Sequence, residues 1–261
     1  MLRSIELCWL GHSTVVLDVD GIRLIADPLL RSRAGLLRRR GRQPAEATWA
    51  GADAVLLSHL HHDHAELASL RRLGGVPVIT APENAAWLRR HGLDGLPASE
   101  GAWNAVGQAG VVKVKLAPAI HRSRPMPHRP NAANGHLVAA PSGTVWVAGD
   151  TELFPGLAEL PGSAGGSIDV AVVPVGGWGP RLSEGHMGPD EAAIACRVVG
   201  ARWAIPVHWG TLHLPGGEVR PKGWMDAAGP AFARALEREA PECRAVVLEV
   251  GGSVTIDADH G

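Results

Sequence analysis

The segment Ser58-His59-Leu60-His61-His62-Asp63-His64 constrains this chain more than any other stretch of its 261 residues. His59, His61, Asp63 and His64 fall within six positions, directly after the apolar run Ala54-Val55-Leu56-Leu57. That run is short, aliphatic and bounded by polar residues, the pattern of a buried strand. Residues two apart on an extended chain point the same way, so His59 and His61 aim at one point. From His64 to Leu73 the periodicity is helical and stops at Gly74-Gly75, which puts Asp63 and His64 at the turn into a helix, offset from the first pair. Neutral imidazole nitrogen and carboxylate oxygen are donors that Zn²⁺ and similar borderline cations accept, and two donor pairs aimed at neighbouring points suit two adjacent ions. A histidine-rich surface turn is the alternative that this segment alone leaves open.

Around this motif the chain reads as strands, then helices, twice over. Ile5 to Leu10, Thr14 to Val19 and Ile22 to Ala26 are apolar runs, and Asp20-Gly21 between the last two is a two-residue hairpin signal. The hairpin ends at Asp27-Pro28, where proline cannot continue a ladder. Val76 to Ile79 is a further strand, and Pro82 at a first-turn position opens a helix through Arg90. Strands are expected over residues 110–117, 136–140, 144–148, 168–174 and 202–207, and around Val246 and Val254. Two more helices are expected, Pro189 to Val199 with Asp190 and Glu191 in its first turn, and about Pro230 to Glu239. Each half then forms a sheet with helices on its outer face, an α/β chain in a four-layer αββα sandwich. No linker, low-complexity tract or short repeat interrupts 1–261, so a single domain is expected.

His59, Asp150 and His208 each follow an apolar run, which places them at the C-terminal ends of strands, where open α/β sheets commonly carry their sites. His121 follows the strand that begins near Gly110. The expected ligand set is His59, His61 and His121 for one metal ion and Asp63, His64 and His208 for the other, with Asp150 between them. Two ions about 3.5–4 Å apart lower the pKa of a shared water toward ~7, giving a hydroxide that attacks phosphorus or a carbonyl carbon. Zinc is the expected metal, and manganese or iron suits the same nitrogen and oxygen donors.

The pattern His59-x-His61-x-Asp63-His64 with His121, Asp150 and His208 resembles the metallo-β-lactamase fold superfamily of dinuclear hydrolases. Trp9-Leu-Gly-His-Ser-Thr, Ile25-Ala-Asp-Pro and His186-Met-Gly-Pro-Asp-Glu-Ala are similar to the branch that contains N-acyl-phosphatidylethanolamine phospholipase D and the ascorbate phosphate lactonases. The resemblance implies the αββα sandwich, the same seven ligand positions and a hydrolytic reaction. It also implies that His186 stands beside the active site, where it contacts the substrate's anionic oxygen or protonates a leaving group, so the expected catalytic residues are Asp150, Asp63 and His186. Asp27 is either an acceptor for a ligand imidazole or a turn-capping aspartate before proline. His12 is either part of the site or a packed core histidine, and His62, between two ligands, faces away.

A phosphodiester or phosphorylated small-molecule or lipid-like substrate is expected first, a lactone second and a β-lactam third; a redox or non-catalytic di-metal protein is the remaining reading. Arg122 and Arg124, with the arginine-dense segment from Arg31 to Arg42, form an anion-attracting rim or a solvated loop. Trp178 and Trp209 either wall a pocket for an apolar group or fill the core. A formal net charge of -1 excludes a generally basic nucleic-acid binder. Cys8, Cys196 and Cys243 lack paired spacing, so a reducing cytoplasm is the expected location. The N-terminal residues lack a signal-peptide pattern, and no apolar run is long enough to span a bilayer.

Overall fold

The computed structural model describes residues 4–122, 128–130 and 132–257. Two seven-stranded sheets lie face to face. The first has the order Ser253–Asp257, Ser4–Gly11, Thr14–Val19, Ile22–Ala26, Ala54–Leu56, Val78–Thr80, Gly95–Pro97; the second runs Arg244–Ala245, Trp203–Val207, Val170–Pro174, Gly143–Val147, Asn134–Ala140, Val112–Pro118, Asn104–Val106. Alternation along the strands explains why two such sheets stack. Leu7, Val15, Leu17 and Leu24 from the first sheet meet Val114, Val138, Val145, Val172 and Ile205 from the second in one core.

The opposite faces bury against helices. Val16, Ile25 and Val55 pack with Leu70, Trp87 and Leu88 of the helices Leu67–Arg72 and Pro82–Arg90. On the other side Leu137, Trp146, Ala171 and Ala204 pack with Ala192, Cys196, Phe232 and Leu236 of the helices Pro189–Val198 and Ala228–Glu239. Three cores separated by two sheets make the expected αββα layering. The Asp20-Gly21 turn also behaves as its residues require, with both φ values positive, at 45° and 81°.

Strand direction sets where the site lies. Ser4–Gly11 and Ile22–Ala26 are each antiparallel to Thr14–Val19, and Ala54–Leu56 is parallel to Ile22–Ala26. All three therefore end at one edge of their sheet. In the second sheet Val112–Pro118, Gly143–Val147 and Trp203–Val207 share a direction in the same way. His12, Asp27, His59, His121, Asp150 and His208 lie one to three residues beyond these six strand ends.

One part of the fold departs from expectation. Arg33–Ala34 and Leu37–Arg39 of the arginine-dense segment form a small third sheet with Leu212–His213. Arg39 is buried and its guanidinium donates to the carbonyls of Arg31, Leu10 and Leu29. Arg40 pairs with Asp226, and Arg31 lies 3.5 Å from Glu66. As an anion-attracting rim the segment is thus corrected at its centre: Arg39 is a clamp on three backbone carbonyls, while Arg33, Arg38 and Arg42 are exposed.

Candidate metal centre

The first donors come from the segment after Ala54–Leu56. His59 is buried, His61 is half-buried, and the chain then turns so that Asp63 and His64 point back toward the same space. Glu66 caps the helix Leu67–Arg72 by accepting from the Ala68 and Ser69 amides, which fixes where the turn ends. His62 is exposed and meets Arg129, as its position between ligands predicts.

Asp27 has the role of imidazole acceptor. Its Oδ2 lies 2.8 Å from His64 Nδ1, and its Oδ1 accepts from the Ser58 amide at 2.8 Å. Ser58 Oγ donates to Asp27 at 2.6 Å and faces His59 Nδ1 at 2.9 Å. Carbonyl oxygens hold two further rings: His121 Nδ1 donates to Gly185 and His208 Nδ1 donates to Gly176, at 2.8 and 2.9 Å. Asp27 and the two carbonyls only accept, and the Ser58 hydroxyl spends its hydrogen on Asp27, so each Nδ1 carries a hydrogen and each Nε2 is the atom turned to a proton or a metal ion.

These rings converge. His64 Nε2 and His208 Nε2 are 3.3 Å apart, and His121 Nε2 is 3.1 Å from His61 Nδ1. Ring nitrogens at such distances have a proton or a cation between them. Asp150 enters from the second sheet, with its Oδ2 at 3.1 Å from His64 Nε2, 3.2 Å from His208 Nε2 and 3.9 Å from His59 Nε2. Both Asp150 oxygens and His59 Nε2 are buried, yet none makes a directed hydrogen bond among the described residues. Orphaned buried acceptors around a common point are what a cation requires, and the residues fit divalent ions. Three overlapping donor groups emerge among the described residues, His59, His61, His121 and Asp150, then His12, Asp63, His64 and His208, and then Asp150, His186 and His208, with the ligand atoms of each group within 4.8 Å of one another.

The electrostatics agree. Burial works to raise the Asp63 and Asp150 pKa values, but the surrounding imidazoles, His64 for Asp63 and His208 for Asp150 foremost, hold both well below the usual carboxylate range. His64 is also buried, which opposes charge on it, yet Asp150, Asp27 and Asp63 outweigh that and hold its pKa well above normal. Without metal, a proton on His64 supplies part of the positive charge that three buried carboxylates demand. Burial pushes His61 down to about 4 and holds His59 well below its ordinary value, which keeps both neutral and able to ligate.

His186 joins the cluster, with Nε2 at 3.2 Å from Asp150 Oδ2 and Nδ1 near the Ser183 and Glu184 carbonyls. Arg122 is exposed beside His121, and Arg124 lies outside the described residues. Beyond His208 and His186 opens a cleft of about 320 Å³ lined by Val175, Leu182, Pro189, Trp209, Trp224 and Ala231. Trp209 thus walls an apolar cavity, whereas Trp178 is exposed and is not among the residues that line it. Sequence reading left His12 undecided; the structure buries it with its Nε2 at 2.9 Å from Asp63. The available signal was its place immediately after a strand, the feature shared by Asp27 and His208.

Comparison with known proteins agrees with this geometry. A family model described as "Beta-lactamase superfamily domain" matches residues 22–209. A UPF0173 metal-dependent hydrolase of Pyrobaculum calidifontis is 30% identical over 213 residues, 80% of this chain and 86% of that protein. The N-acyl-phosphatidylethanolamine-hydrolyzing phospholipase D 1 of Caenorhabditis elegans is 28% identical over 227 residues, 79% of this chain and 64% of that protein. Among solved structures, Igni18, a metallo hydrolase from the archaeon Ignicoccus hospitalis, superposes with a TM-score of 0.74 at 22% identity, covering 97% of this chain and 99% of that one. The chain belongs to the beta-lactamase superfamily and has the metallo-β-lactamase fold of its metal-dependent hydrolases.

Proposed function

We propose that this metal-dependent hydrolase cleaves a phosphodiester or another phosphorylated small-molecule or lipid-like substrate at a pair of divalent cations, zinc being the expected metal. The observation that carries the two-ion reading is the convergence of imidazole nitrogens, 3.3 Å apart between His64 and His208 and 3.1 Å apart between His61 and His121, around an Asp150 whose two oxygens have no directed partner among the described residues. His59, His61 and His121 would hold one ion, Asp63, His64 and His208 the other, and Asp150 both. Bound there, the ions supply Lewis acidity and make a water acidic enough to attack at neutral pH.

The chain's own residues do the rest. Asp150 and Asp63 accept hydrogen bonds from the attacking water and orient it. His186, with Nδ1 turned to the carbonyls of Ser183 and Glu184, presents Nε2 to pass a proton to the leaving oxygen. Arg122, exposed beside His121, is placed to meet an anionic oxygen. The phosphate preference is supported by the phospholipase D relative and by the apolar cleft beside His208, which suits the hydrocarbon part of such a substrate.

Metal analysis of the purified protein, with turnover of bis(p-nitrophenyl) phosphate, a simple lactone and a β-lactam, tests this. The expected result is two ions per chain and preferential phosphodiester cleavage; faster lactone cleavage would replace attack at phosphorus by attack at carbon. Asp150→Ala should lower kcat by at least about a thousandfold while circular dichroism stays native. Retained turnover would remove Asp150 from the reaction.

A further inference from the structure

We infer that His12 is itself a metal ligand, a nitrogen donor to the ion held by Asp63, His64 and His208. This rests on the proposed two-ion centre and adds a donor to it. The first observation is which oxygen His12 touches. Its Nε2 lies 2.9 Å from Asp63 Oδ2, the same oxygen that lies 3.9 Å from both His64 Nε2 and His208 Nε2. A residue that merely steadies a ligating carboxylate reaches the oxygen turned away from the ion. His12 reaches the oxygen turned toward it, so its nitrogen borders the space the other donors face.

The second observation is how firmly the ring is placed there. His12 is fully buried, and its ring lies on that of His208 with centroids 4.0 Å apart. Its amide donates to Thr211 Oγ1 at 2.7 Å, and its carbonyl accepts from the His208 amide and from Trp9 Nε1. With both backbone groups tied, the residue holds a φ of 53°, which side chains other than glycine seldom adopt. His208, the donor it stacks on, holds 63°. Backbone conformations of this kind persist where the surroundings over-determine them, and here two of them bring two imidazoles to one ion.

The consequence is an unequal pair of sites. The ion among His59, His61 and His121 has three nitrogens and the Asp150 carboxylate, whereas the other has His12, His64 and His208 with two carboxylates. The richer site should load first and release last.

Titration of the metal-stripped full chain with Zn²⁺ against a competing chelator, and with Co²⁺ followed by its visible spectrum, tests this. The wild type should bind in two resolvable steps. His12→Gln keeps an N–H able to reach Asp63 but replaces a strong ligand by a poor one. It should weaken the tighter step by more than about a hundredfold, beyond the 10–100-fold typical of partners that only orient a ligand, and should change the Co²⁺ spectrum of that step alone. Wild-type affinity and spectrum in His12→Gln would reduce His12 to a hydrogen-bond partner and overturn the inference while leaving the two-ion centre standing. A wild type that binds no metal would overturn both. Should the variant fail to fold, nitrogen NMR of the zinc-loaded wild type decides: a ring Nε2 with the shift of a coordinated nitrogen supports ligation, and one that carries hydrogen refutes it.

Discussion

Single side chains in this molecule differ in whether their burial serves chemistry or structure, and their partners tell which. His136 is fully buried and belongs to none of the donor groups, with Nε2 facing the Ile79 carbonyl at 3.1 Å. Burial lowers its pKa from 6.5 to about 4 against the opposing pull of Asp27. Between those values the unfolded chain binds a proton that the folded chain refuses. The folded state thus has the full benefit of a neutral His136 above pH 6.5 and loses it progressively as the pH falls toward 4, roughly 3 kcal/mol in all. His136→Gln should flatten the pH dependence of the urea midpoint relative to wild type between pH 7 and 5; parallel curves would refute this. Arg39 makes the opposite point about an arginine. Its buried guanidinium is spent on three carbonyls, so Arg39→Ala should destabilise the fold by about 2–4 kcal/mol in a thermal or urea melt. The KM for an anionic substrate should not move in the folded fraction.

At the level of elements, the strand ends carry the site and the loops beyond them aim it. Gly185 illustrates the second task. Its φ is 79°, and a Cβ built there would sit 2.9 Å from His121 Nδ1, the atom that its carbonyl holds. Gly185→Ala should therefore weaken metal retention at the His59, His61 and His121 group by tens-fold, read as loss of one ion per chain in metal analysis with the fold intact. Full occupancy would show that the loop absorbs the extra carbon. Gly149, at φ 65°, similarly lets the chain reach Asp150 past Ser58, whose Cβ lies 2.7 Å from where a side chain would start. The elements themselves were largely legible in the sequence. Asp20-Gly21, Pro82 and Pro189 mark boundaries that the structure repeats, because turn and cap chemistry is local. The sheet of Arg33–Ala34, Leu37–Arg39 and Leu212–His213 was not legible, since strands of two or three residues have no period to detect and their pairing spans the chain. His12 stayed ambiguous for a related reason: a lone histidine after a strand acquires meaning only when Asp63 and His208 arrive beside it. The spacing within His59 to His64, by contrast, fixes four donors locally, and so it could be read.

Considered whole, the protein draws its proposed metal donors from both halves. His12, His59, His61, Asp63 and His64 follow strands of the first sheet, and His121, Asp150 and His208 follow strands of the second. Ions held between the sheets as proposed would bind the folded chain and not the unfolded one, so chelation with EDTA should lower the melting temperature and added Zn²⁺ should restore it. No change on chelation would mean that the interleaved apolar core alone sets the melting point. No helix among the described residues is long and apolar enough to cross a membrane.

His64 and His208, whose nitrogens meet at 3.3 Å, are separated by 144 positions along the chain. A ribosome must therefore have released the chain through His208, and the two sheets must have docked, before any ion finds the complete proposed cage. Metal capture is then a late event in maturation, and its kinetics during refolding should follow the slowest structural phase rather than precede it.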